Sequence, residues 1–310
     1  MLELLTLGET MAALSAERIG PLRHAHHLAL SIAGSESTVA IGASRLGRRT
    51  GWIGRVGEDD FGALVQARLR AEGVSVFAAQ DRAAPTGLMI KERRTADRRR
   101  VHYYRTGSAG SRLEPEDLPT DEIASARILH LSAITLALST GAAKTAEQAV
   151  HHARFVSFDA NYRAALWNPA DYRARIRALL PSVDLLFASW EEARVLAQSR
   201  TEDPVELAGQ LLKTGPRTVV ITMGRDGALS LDADAQHRIP AEPVTEIDPV
   251  GAGDAFVAGY LSTLLAGADT ETCLRAAARV AAFCVAAEGD WEGLPTTAEL
   301  ALATAADISR

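Results

Sequence analysis

The chain has 310 residues, 47% of them hydrophobic and 23% charged, and a formal net charge of −6. This length and apolar content suffice for one large folded domain and argue against a disordered chain. The acidic balance argues against nucleic-acid and membrane-surface partners, because phosphate groups attract basic patches. The two cysteines, Cys273 and Cys284, are too few for a disulfide framework and lack zinc-site spacing, so we expect both to be buried apolar residues.

Residues 1–8 have no basic lead and no cleavage site, and their apolar pattern predicts a first β-strand. No stretch reaches the roughly 20 apolar residues that a helix needs to span a bilayer. The sequence therefore predicts a cytoplasmic protein without a membrane partner.

Short apolar runs alternate with longer segments of helical periodicity along the chain. The pattern predicts helices at 37–46 and 61–72, and strands at 50–53, 128–132, 155–159, 185–188 and 219–222. This alternation is typical of an α/β fold with a mostly parallel sheet and helices on both faces. Ligands of such sheets bind beyond the carboxyl ends of the strands. Residues 159–161, 189–192 and 222–227 follow predicted strands, so we expect them at one edge of the sheet.

Two segments, residues 10–32 and 85–107, lack helical periodicity. The second predicts a hairpin with strands at 86–93 and 99–106 that turns at Ala96-Asp97. Its arginines predict a charged rim that guards an exposed strand edge, and the alternative is a role in attracting an anionic substrate. They are Arg93, Arg94, Arg98, Arg99 and Arg100. No internal repeat interrupts the chain, which predicts a single domain over residues 1–310.

A glycine-containing run stands just before a helix-period segment that extends from residue 256 to 265. Free amides at a helix start bind anions, and glycine lets the backbone approach a ligand closely. The amides of Gly251, Ala252 and Gly253 are thus expected to hold a transferring phosphoryl group. The carboxylate of Asp254 lies in the first helical turn, where an anion is favoured by ~0.3–1 kcal/mol. We expect it to stay ionised and to accept a proton from a hydroxyl. The alternative is a helix start with packing glycines and a capping Asp.

The whole run resembles the C-terminal signature of the ribokinase-like (PfkB-type) carbohydrate kinases, D-T-x-G-A-G-D, with Pro249 where many members carry Thr. Other stretches agree with this family in order along the chain. They are Gly34 with Val39-Ala40, Ala43-Arg45-Leu46-Gly47, Gly54-Val56-Gly57-Asp59-Phe61-Gly62 and Thr222-Met223-Gly224-Arg225-Asp226-Gly227. Within the family, residues 103–109 and 158–167 and the pair Gly8-Glu9 are most similar to 2-keto-3-deoxygluconate kinases.

The resemblance implies a ribokinase-like three-layer α/β/α sandwich with a mostly parallel central sheet. It also implies that residues 10–32 and 85–107 form a small β-sheet lid over the sugar, which excludes water and prevents ATP hydrolysis. The exposed face of such a lid often pairs with a second subunit, so a homodimer is expected.

Two arginines inside the matched stretches, Arg105 and Arg163, favour a sugar acid as substrate, because a guanidinium binds a carboxylate in a bidentate manner. Neutral-sugar kinases of the family usually carry an N-terminal aspartate, and this chain has Met11-Ala12-Ala13 there. Two positions depart from the family pattern, with Thr38 in place of a common Asn and Met89 in place of a lid tyrosine. The residues expected to contact the substrate are Gly34, Ser35, Thr38, Met89, Tyr103, Arg105, Arg163 and Asp254.

On the nucleotide side, Ser189-Trp190-Glu191-Glu192 resembles the family's N-x-x-E element, whose acid orders Mg²⁺ through water. The alternative for Glu192 is an ordinary surface helix position. The adenine pocket is expected near residues 275–288. Some members use a monovalent cation such as K⁺ near the carbonyl of Asp248, and the sequence does not decide this point. The residues expected to contact ATP are Asn161, Arg163, Ser189, Thr222, Gly224, Gly227, Gly251 and Gly253.

The sequence thus predicts an ATP-dependent kinase that phosphorylates the terminal hydroxyl of 2-keto-3-deoxygluconate, with Asp254 as the base. One alternative is a kinase for a neutral sugar such as ribose or fructose. Another is a catalytically silent sugar-binding regulator, against which the intact Gly251, Gly253 and Asp254 argue. Gluconate-derived and galactonate-derived acids are not distinguished, and the phosphate donor and subunit number stay open.

Overall fold

The computed structural model describes residues 1–95 and 98–304. Within these residues, thirteen strands form two sheets and eleven α-helices pack around them. The strands are β1 (Leu4–Leu7), β2 (Met11–Ala16), β3 (Leu28–Ala33), β4 (Thr50–Gly57), β5 (Ser75–Asp81), β6 (Leu88–Arg93), β7 (Arg99–Tyr104), β8 (Ile128–Ser132), β9 (Val156–Asp159), β10 (Leu185–Ser189), β11 (Thr218–Thr222), β12 (Ala228–Asp232) and β13 (Gln236–Ile239). The helices are α1 (Ser35–Arg45), α2 (Asp60–Ala71), α3 (Thr120–Ser125), α4 (Ala133–Leu138), α5 (Thr140–His152), α6 (Pro169–Leu179), α7 (Trp190–Ala197), α8 (Pro204–Leu212), α9 (Ala252–Leu265), α10 (Thr270–Val285) and α11 (Thr297–Thr304).

The larger sheet has the strand order β13-β12-β11-β10-β9-β8-β1-β4-β5. Its strands pair in parallel from β11 to β5, and antiparallel pairs join β11 to β12 and β12 to β13 at one edge. All five strands predicted from apolar runs lie in its parallel part. The mostly parallel α/β sheet is therefore confirmed.

The strand predicted at 50–53 is longer in the structure, because β4 continues to Gly57 and pairs there with Asp81 of β5. Gly54 is part of this strand for a packing reason. A Cβ atom at this position would lie 2.2 Å from the indole ring of Trp52. The glycine therefore makes room for a large buried side chain.

The central strands are buried on both faces, as expected for a parallel sheet between two helical layers. On β10, Leu186 and Ala188 belong to the apolar cluster that contains α5 to α8, whereas Leu185 and Phe187 belong to the cluster that contains α9 and α10. Successive strand residues point to opposite faces, so one strand contributes to both clusters. This arrangement is the three-layer α/β/α sandwich that the resemblance implied.

Strands β2, β3, β6 and β7 form the second sheet, hereafter the lid sheet, in the order β3-β2-β6-β7. It comes from the two segments predicted to form a lid, and its strands β6 and β7 form the predicted antiparallel pair. The predicted turn at Ala96-Asp97 lies outside the described residues. The single-domain organisation over residues 1–310 stays a prediction.

Both cysteines, Cys273 and Cys284, are buried free thiols, as predicted. Among the described residues, no helix has both the length and the apolar character that crossing a membrane requires.

Candidate active site

Two helix N-termini meet at the carboxyl edge of the large sheet. Helix α1 begins at Ser35, directly after Gly34, and helix α9 begins at Ala252, directly after Gly251. The hydroxyl of Ser35 donates a hydrogen bond of 2.6 Å to the Oδ1 atom of Asp254. This bond joins the first turns of the two helices, so their unpaired amides face a common space.

The two glycines of the turn before α9 have different roles. Gly251 has a left-handed backbone (φ 81°), and a Cβ atom there would lie 2.2 Å from the carbonyl oxygen of Asp290. Gly253 is exposed, and a Cβ atom there would meet nothing within 4 Å. Gly251 is therefore required by its backbone conformation and by its contact with Asp290. The second glycine leaves open space in front of the helix.

The amides at this turn are only partly free. Among the described residues, none accepts a hydrogen bond from the N–H groups of Gly251 and Gly253, whereas the N–H of Ala252 donates to the carbonyl of Pro249 at 3.3 Å. The two glycine amides are thus the better candidates for binding an anion, and Ala252 contributes less than its place in the motif suggested.

The carboxyl group of Asp254 is partly buried, and loss of hydration raises its pKa from 3.8 to about 6. The hydrogen bond from Ser35 and the charge of Arg163 act in the opposite direction. This rise corresponds to roughly 3 kcal/mol, which exceeds the ~0.3–1 kcal/mol that a helix N-terminus contributes. The expectation that the helix start keeps the group ionised is therefore incomplete. The carboxylate forms above about pH 6, not at the usual value.

Asn161 links this aspartate to a second one. Its Nδ2 atom donates to Ser35 Oγ at 3.0 Å and to Asp159 Oδ2 at 3.1 Å. Its backbone has a positive φ of 30°, and its buried Oδ1 atom has no partner among the described residues. The side chain predicted to contact ATP is thus part of a chain of polar contacts that begins at Asp254.

Asp159, at the end of β9, was not among the predicted site residues. Burial raises its pKa well above the usual value, and the nearby charges of Glu192 and Asp254 raise it further, while Arg163 lowers it. Three carboxyl groups therefore crowd the space between β9, α7 and α9. The sequence signal was its position at a strand end, next to Asn161.

Glu192 is not an ordinary surface residue. Its two oxygens accept hydrogen bonds of 2.7 Å from the backbone N–H groups of Tyr162 and Ser189. The hydroxyl of Ser189 in turn caps α7 by accepting from the amide of Glu192. This reciprocal cap fixes the carboxylate beside Asp159. Ser189 acts in the structure as the helix cap.

The two arginines predicted to bind a carboxylate differ in their surroundings. Arg163 is exposed, and its charge lowers the pKa of both Asp159 and Asp254, so it lies near both groups. Arg105 is mostly buried and forms an ion pair with Glu9, with Nε and Nη2 at 2.7 and 2.5 Å from the same carboxylate oxygen. Among the described residues, none accepts a hydrogen bond from Nη1 on the other edge of this guanidinium.

Glu9 is held in a slot that glycines create. Cβ atoms at Gly87 and Gly110 would lie 2.8 and 2.3 Å from its side chain, and Ser108 donates to its other oxygen. Glycine at the adjacent position 8 also makes room for a buried acid, because a Cβ atom there would lie 2.3 Å from the carboxyl group of Glu36.

Glu36 accepts hydrogen bonds from Ser132 and Thr135, and burial raises its pKa. Neither Glu9 nor Glu36 was recognised as a site residue. The sequence signal for Glu9 is the Gly8-Glu9 pair, which is similar to the corresponding pair of 2-keto-3-deoxygluconate kinases.

The remaining predicted substrate contacts lie on α1 and the lid sheet. Thr38 is buried one turn after Gly34. Met89 is buried among Met11, Ala13 and Ala33, and its cross-strand partner Tyr103 is 45% exposed. The guanidinium carbon of Arg105 lies 5.8 Å from the centre of the Tyr103 ring.

A cavity of about 590 Å³ opens beside Gly253 and Phe256. Residues predicted to contact ATP, namely Thr222, Gly224 and Gly227, line one side of it. Part of the predicted adenine region lines another side through Ala278, Ala281, Ala282 and Val285 of α10. The segment 241–246, which contributes five lining residues, carried no sequence signal.

We predict opposite stability effects for alanine at the two glycines of the turn. Gly251→Ala should destabilise the fold by about 1–2 kcal/mol or more, because of its left-handed backbone and its contact with residue 290. Gly253→Ala should leave stability unchanged or raise it by up to about 1 kcal/mol, because alanine favours a helix. Urea unfolding of both variants tests this, and equal destabilisation would contradict it.

Comparison with known proteins identifies the family of the chain. Residues 1–297 match the family described as pfkB family carbohydrate kinase. The chain is 38% identical over 306 residues to a 2-dehydro-3-deoxygluconokinase of Thermoproteus tenax, covering 96% of this chain and 93% of that one. It is 35% identical over 296 residues to a 2-dehydro-3-deoxygalactonokinase of Haloferax volcanii, covering 93% and 92%. A PfkB protein of Polaromonas sp. JS666 has a similar crystal structure, with a TM-score of 0.89, 34% identity and coverage of 97% and 99%. The matched region includes every residue that meets at this edge of the sheet, and the chain therefore belongs to the pfkB family of carbohydrate kinases.

Proposed function

We propose that this protein transfers the γ-phosphoryl group of ATP to the terminal hydroxyl of 2-keto-3-deoxygluconate or its galactonate-derived epimer. One observation carries the proposal. A carboxyl group with a pKa of about 6 lies between two helix N-termini and beside an open cavity, within a kinase fold. The two sugar-acid kinases at 38% and 35% identity support the choice of acceptor.

In this reaction, the carboxylate of Asp254 takes the proton of the acceptor hydroxyl. The hydroxyl oxygen attacks the γ-phosphorus, and ADP leaves. The free amides of Gly251 and Gly253 stabilise the charge that develops on the transferred group. The hydrogen bond from Ser35 keeps the carboxylate oriented toward the hydroxyl. A base with a pKa near 6 is ionised at neutral pH and retains affinity for a proton.

The nucleotide would occupy the 590 Å³ cavity, with its phosphates directed toward Gly253. The loop that contains Gly224 and Gly227 has positive φ values of 56° and 89°, which bring backbone amides close to a ligand. The apolar wall of α10 suits a purine ring. Asn161 and Arg163 would contact the γ-phosphate from the opposite side.

Magnesium fits the crowded carboxylates at this edge of the sheet. The raised pKa of Asp159 reflects burial and the charges of Glu192 and Asp254, and a cation would relieve that crowding. In the part of the chain that the structure describes, no group of three or more acidic, His or Cys side chains could hold a metal by itself. Phosphate oxygens and water would therefore complete the shell, with Glu192 acting through water. When bound, Mg²⁺ supplies charge neutralisation for the transferred group.

The acceptor's carboxylate would bind between Arg105 and Arg163. Glu9 accepts from one edge of the Arg105 guanidinium, so the edge with Nη1 is left for the substrate. Tyr103 lies over the same group from the lid sheet. Gly34, Ser35 and Thr38 would contact the hydroxyls from the start of α1.

Homodimerisation through the lid sheet stays a prediction. Its exposed Leu30 and Tyr104 suit a contact with a second copy. A monovalent cation near the Asp248 carbonyl and a cytoplasmic location stay predictions as well.

We expect Asp254→Asn to lower kcat by about 10²–10⁴-fold, because an amide cannot accept the hydroxyl proton. The fold should survive, since the amide can still accept the hydrogen bond from Ser35. ADP release measured across gluconate-derived, galactonate-derived and neutral sugars tests the function and the base together. Near-normal turnover of the variant would refute the base, and preference for ribose or fructose would favour the neutral-sugar alternative. A wild-type protein that releases no ADP with any sugar would favour the silent regulator.

The activity should depend on pH through Asp254. Its pKa is raised to about 6, and the protonated form is inactive, so kcat/KM for the sugar should fall about tenfold per pH unit well below pH 6. Ser35→Ala removes a hydrogen bond that lowers this pKa, so its acid limb should move to higher pH. An unchanged limb in that variant would assign the titration to another group, such as a phosphate of ATP.

Arg105→Met and Arg163→Met should each raise KM for the sugar acid by about 10–100-fold, since hydrogen bonds to charged groups contribute about 1.5–3 kcal/mol. KM for a poorly used neutral sugar should change much less. Arg175→Met, which breaks a surface pair between α6 and Glu147 of α5, is the matched control. Equal weakening of acid and neutral substrates would exclude the carboxylate clamp.

A further inference from the structure

A row of ion pairs connects the lid sheet to the loops that flank the glycine turn before α9. Lys91 on β6 pairs with Asp290, and Arg99 on β7 pairs with Asp248 at 3.3 Å. Further along β6, Arg93 pairs with Glu288 at 2.8 Å. Arg93 and Arg99 of the expected charged rim therefore pair with acids of another part of the fold, Arg99 with a buried acid and Arg93 with an exposed one.

Both inner acids are buried and contact the turn directly. Asp248 is 3% exposed, and its carboxylate accepts from the N–H of Val250 at 3.2 Å, on the N-terminal side of the turn. Asp290 is 8% exposed, and its carbonyl oxygen fills the place that a side chain at Gly251 would need. The two acids thus support the turn from both sides. A shift of either would move the amides of Gly251 and Gly253.

The lid residues that reach these acids share a face with those predicted to contact the acceptor. The register of β6 and β7 pairs Met89 with Tyr103, Lys91 with Val101, and Arg93 with Arg99. Alternate residues point to the same side of a sheet, so Met89, Lys91 and Arg99 lie on one face. A sheet that moves as a unit carries its acceptor contacts and its ion pairs together.

Polar contacts join β6 and β7 to the loops that flank the turn, whereas β3 of the lid sheet also makes apolar contacts there, since Ile32 belongs to the buried cluster that contains Ala255 and Trp291. A cavity of about 210 Å³ lies between the lid sheet and these loops, lined by Lys91, Arg99, Asp248 and other residues of both parts. Burial raises the pKa of Asp290, and the charge of Lys91 opposes that rise. The acid therefore depends on the lid for a countercharge.

We propose that Lys91 and Arg99 are positioning residues for phosphoryl transfer, which hold the glycine turn in its anion-binding geometry through Asp290 and Asp248 when the lid sheet covers the acceptor. Neither touches the reacting atoms. The inference goes beyond the proposed function and applies to whichever sugar the enzyme accepts. Its consequence is that acceptor binding under the lid sheet prepares the amides that receive the phosphoryl group.

The first test separates positioning from simple stabilisation. Lys91→Met should lower kcat about tenfold and change KM for sugar and ATP less than about threefold, because a small displacement of a catalytic group affects mainly the transition state. Lys91→Arg should restore most of the activity. Arg93→Met is the matched control, since its partner Glu288 is 62% exposed, and its kcat should stay within about twofold of wild type.

A double variant covers the possibility that Lys91→Met alone does not fold, because it leaves Asp290 buried without a countercharge. Lys91→Met/Asp290→Asn removes both charges and should fold, yet its kcat should remain about tenfold low. A double variant with wild-type kcat would show that the pair serves only the fold and would overturn the proposal. An equal loss in Arg93→Met, or a change confined to KM, would overturn it too.

Hydrogen exchange provides a second readout. The sugar alone should slow exchange in peptides that cover residues 248–254 of the wild type, and this protection should be lost in Lys91→Met. Absence of protection in the wild type would contradict the inference. All measurements use the best acceptor of the substrate panel. A wild type that phosphorylates only a neutral sugar refutes the proposed substrate, whereas a fully active Lys91→Met refutes the positioning role alone.

Discussion

The hydrogen bond from Ser35 to Asp254 is the contact on which the site depends. It joins the first turns of α1 and α9, which come from opposite ends of the chain. The parallel sheet makes the contact possible, because it brings strand ends and helix starts to one edge. The bond also lowers the pKa of Asp254, which burial raises. This one hydrogen bond therefore orients the Asp254 carboxyl group, affects its ionisation and holds the N-termini of α1 and α9 together.

The site concentrates negative charge, and this determines what it can bind. The charges of Glu192 and Asp254 both raise the pKa of Asp159, and the charge of Glu36 raises that of Asp254. The charge of Arg163 lowers the pKa of both Asp159 and Asp254. A triphosphate would add to this negative charge, so its binding requires accompanying cations and free amides. Loss of hydration, with further contributions from Glu36 and Asp290, raises the pKa of Asp254 enough for it to take a proton.

Much of the architecture could be predicted from the sequence, because apolar runs and helical periodicity are local signals. The strand 128–132 and the start of α9 after Gly251 followed from such patterns. The ion pair of Lys91 with Asp290 could not be predicted, since 199 positions separate the two residues. Glu9 and Glu36 were missed for the same reason. Their burial depends on glycines and hydroxyls supplied by distant segments, and no local pattern distinguishes them from surface acids.

The wall that α10 presents to the large cavity has a consequence for nucleotide choice. Its side chains, Ala278, Ala281, Ala282 and Val285, carry no hydrogen-bonding groups. An apolar surface discriminates by size and shape, and it separates ring systems of equal outline only weakly. A base stacked against these alanines would be selected by the thickness of its ring. This helix would form no hydrogen bonds with the exocyclic amino or keto groups. Preference between adenine and guanine would then depend on the main chain opposite.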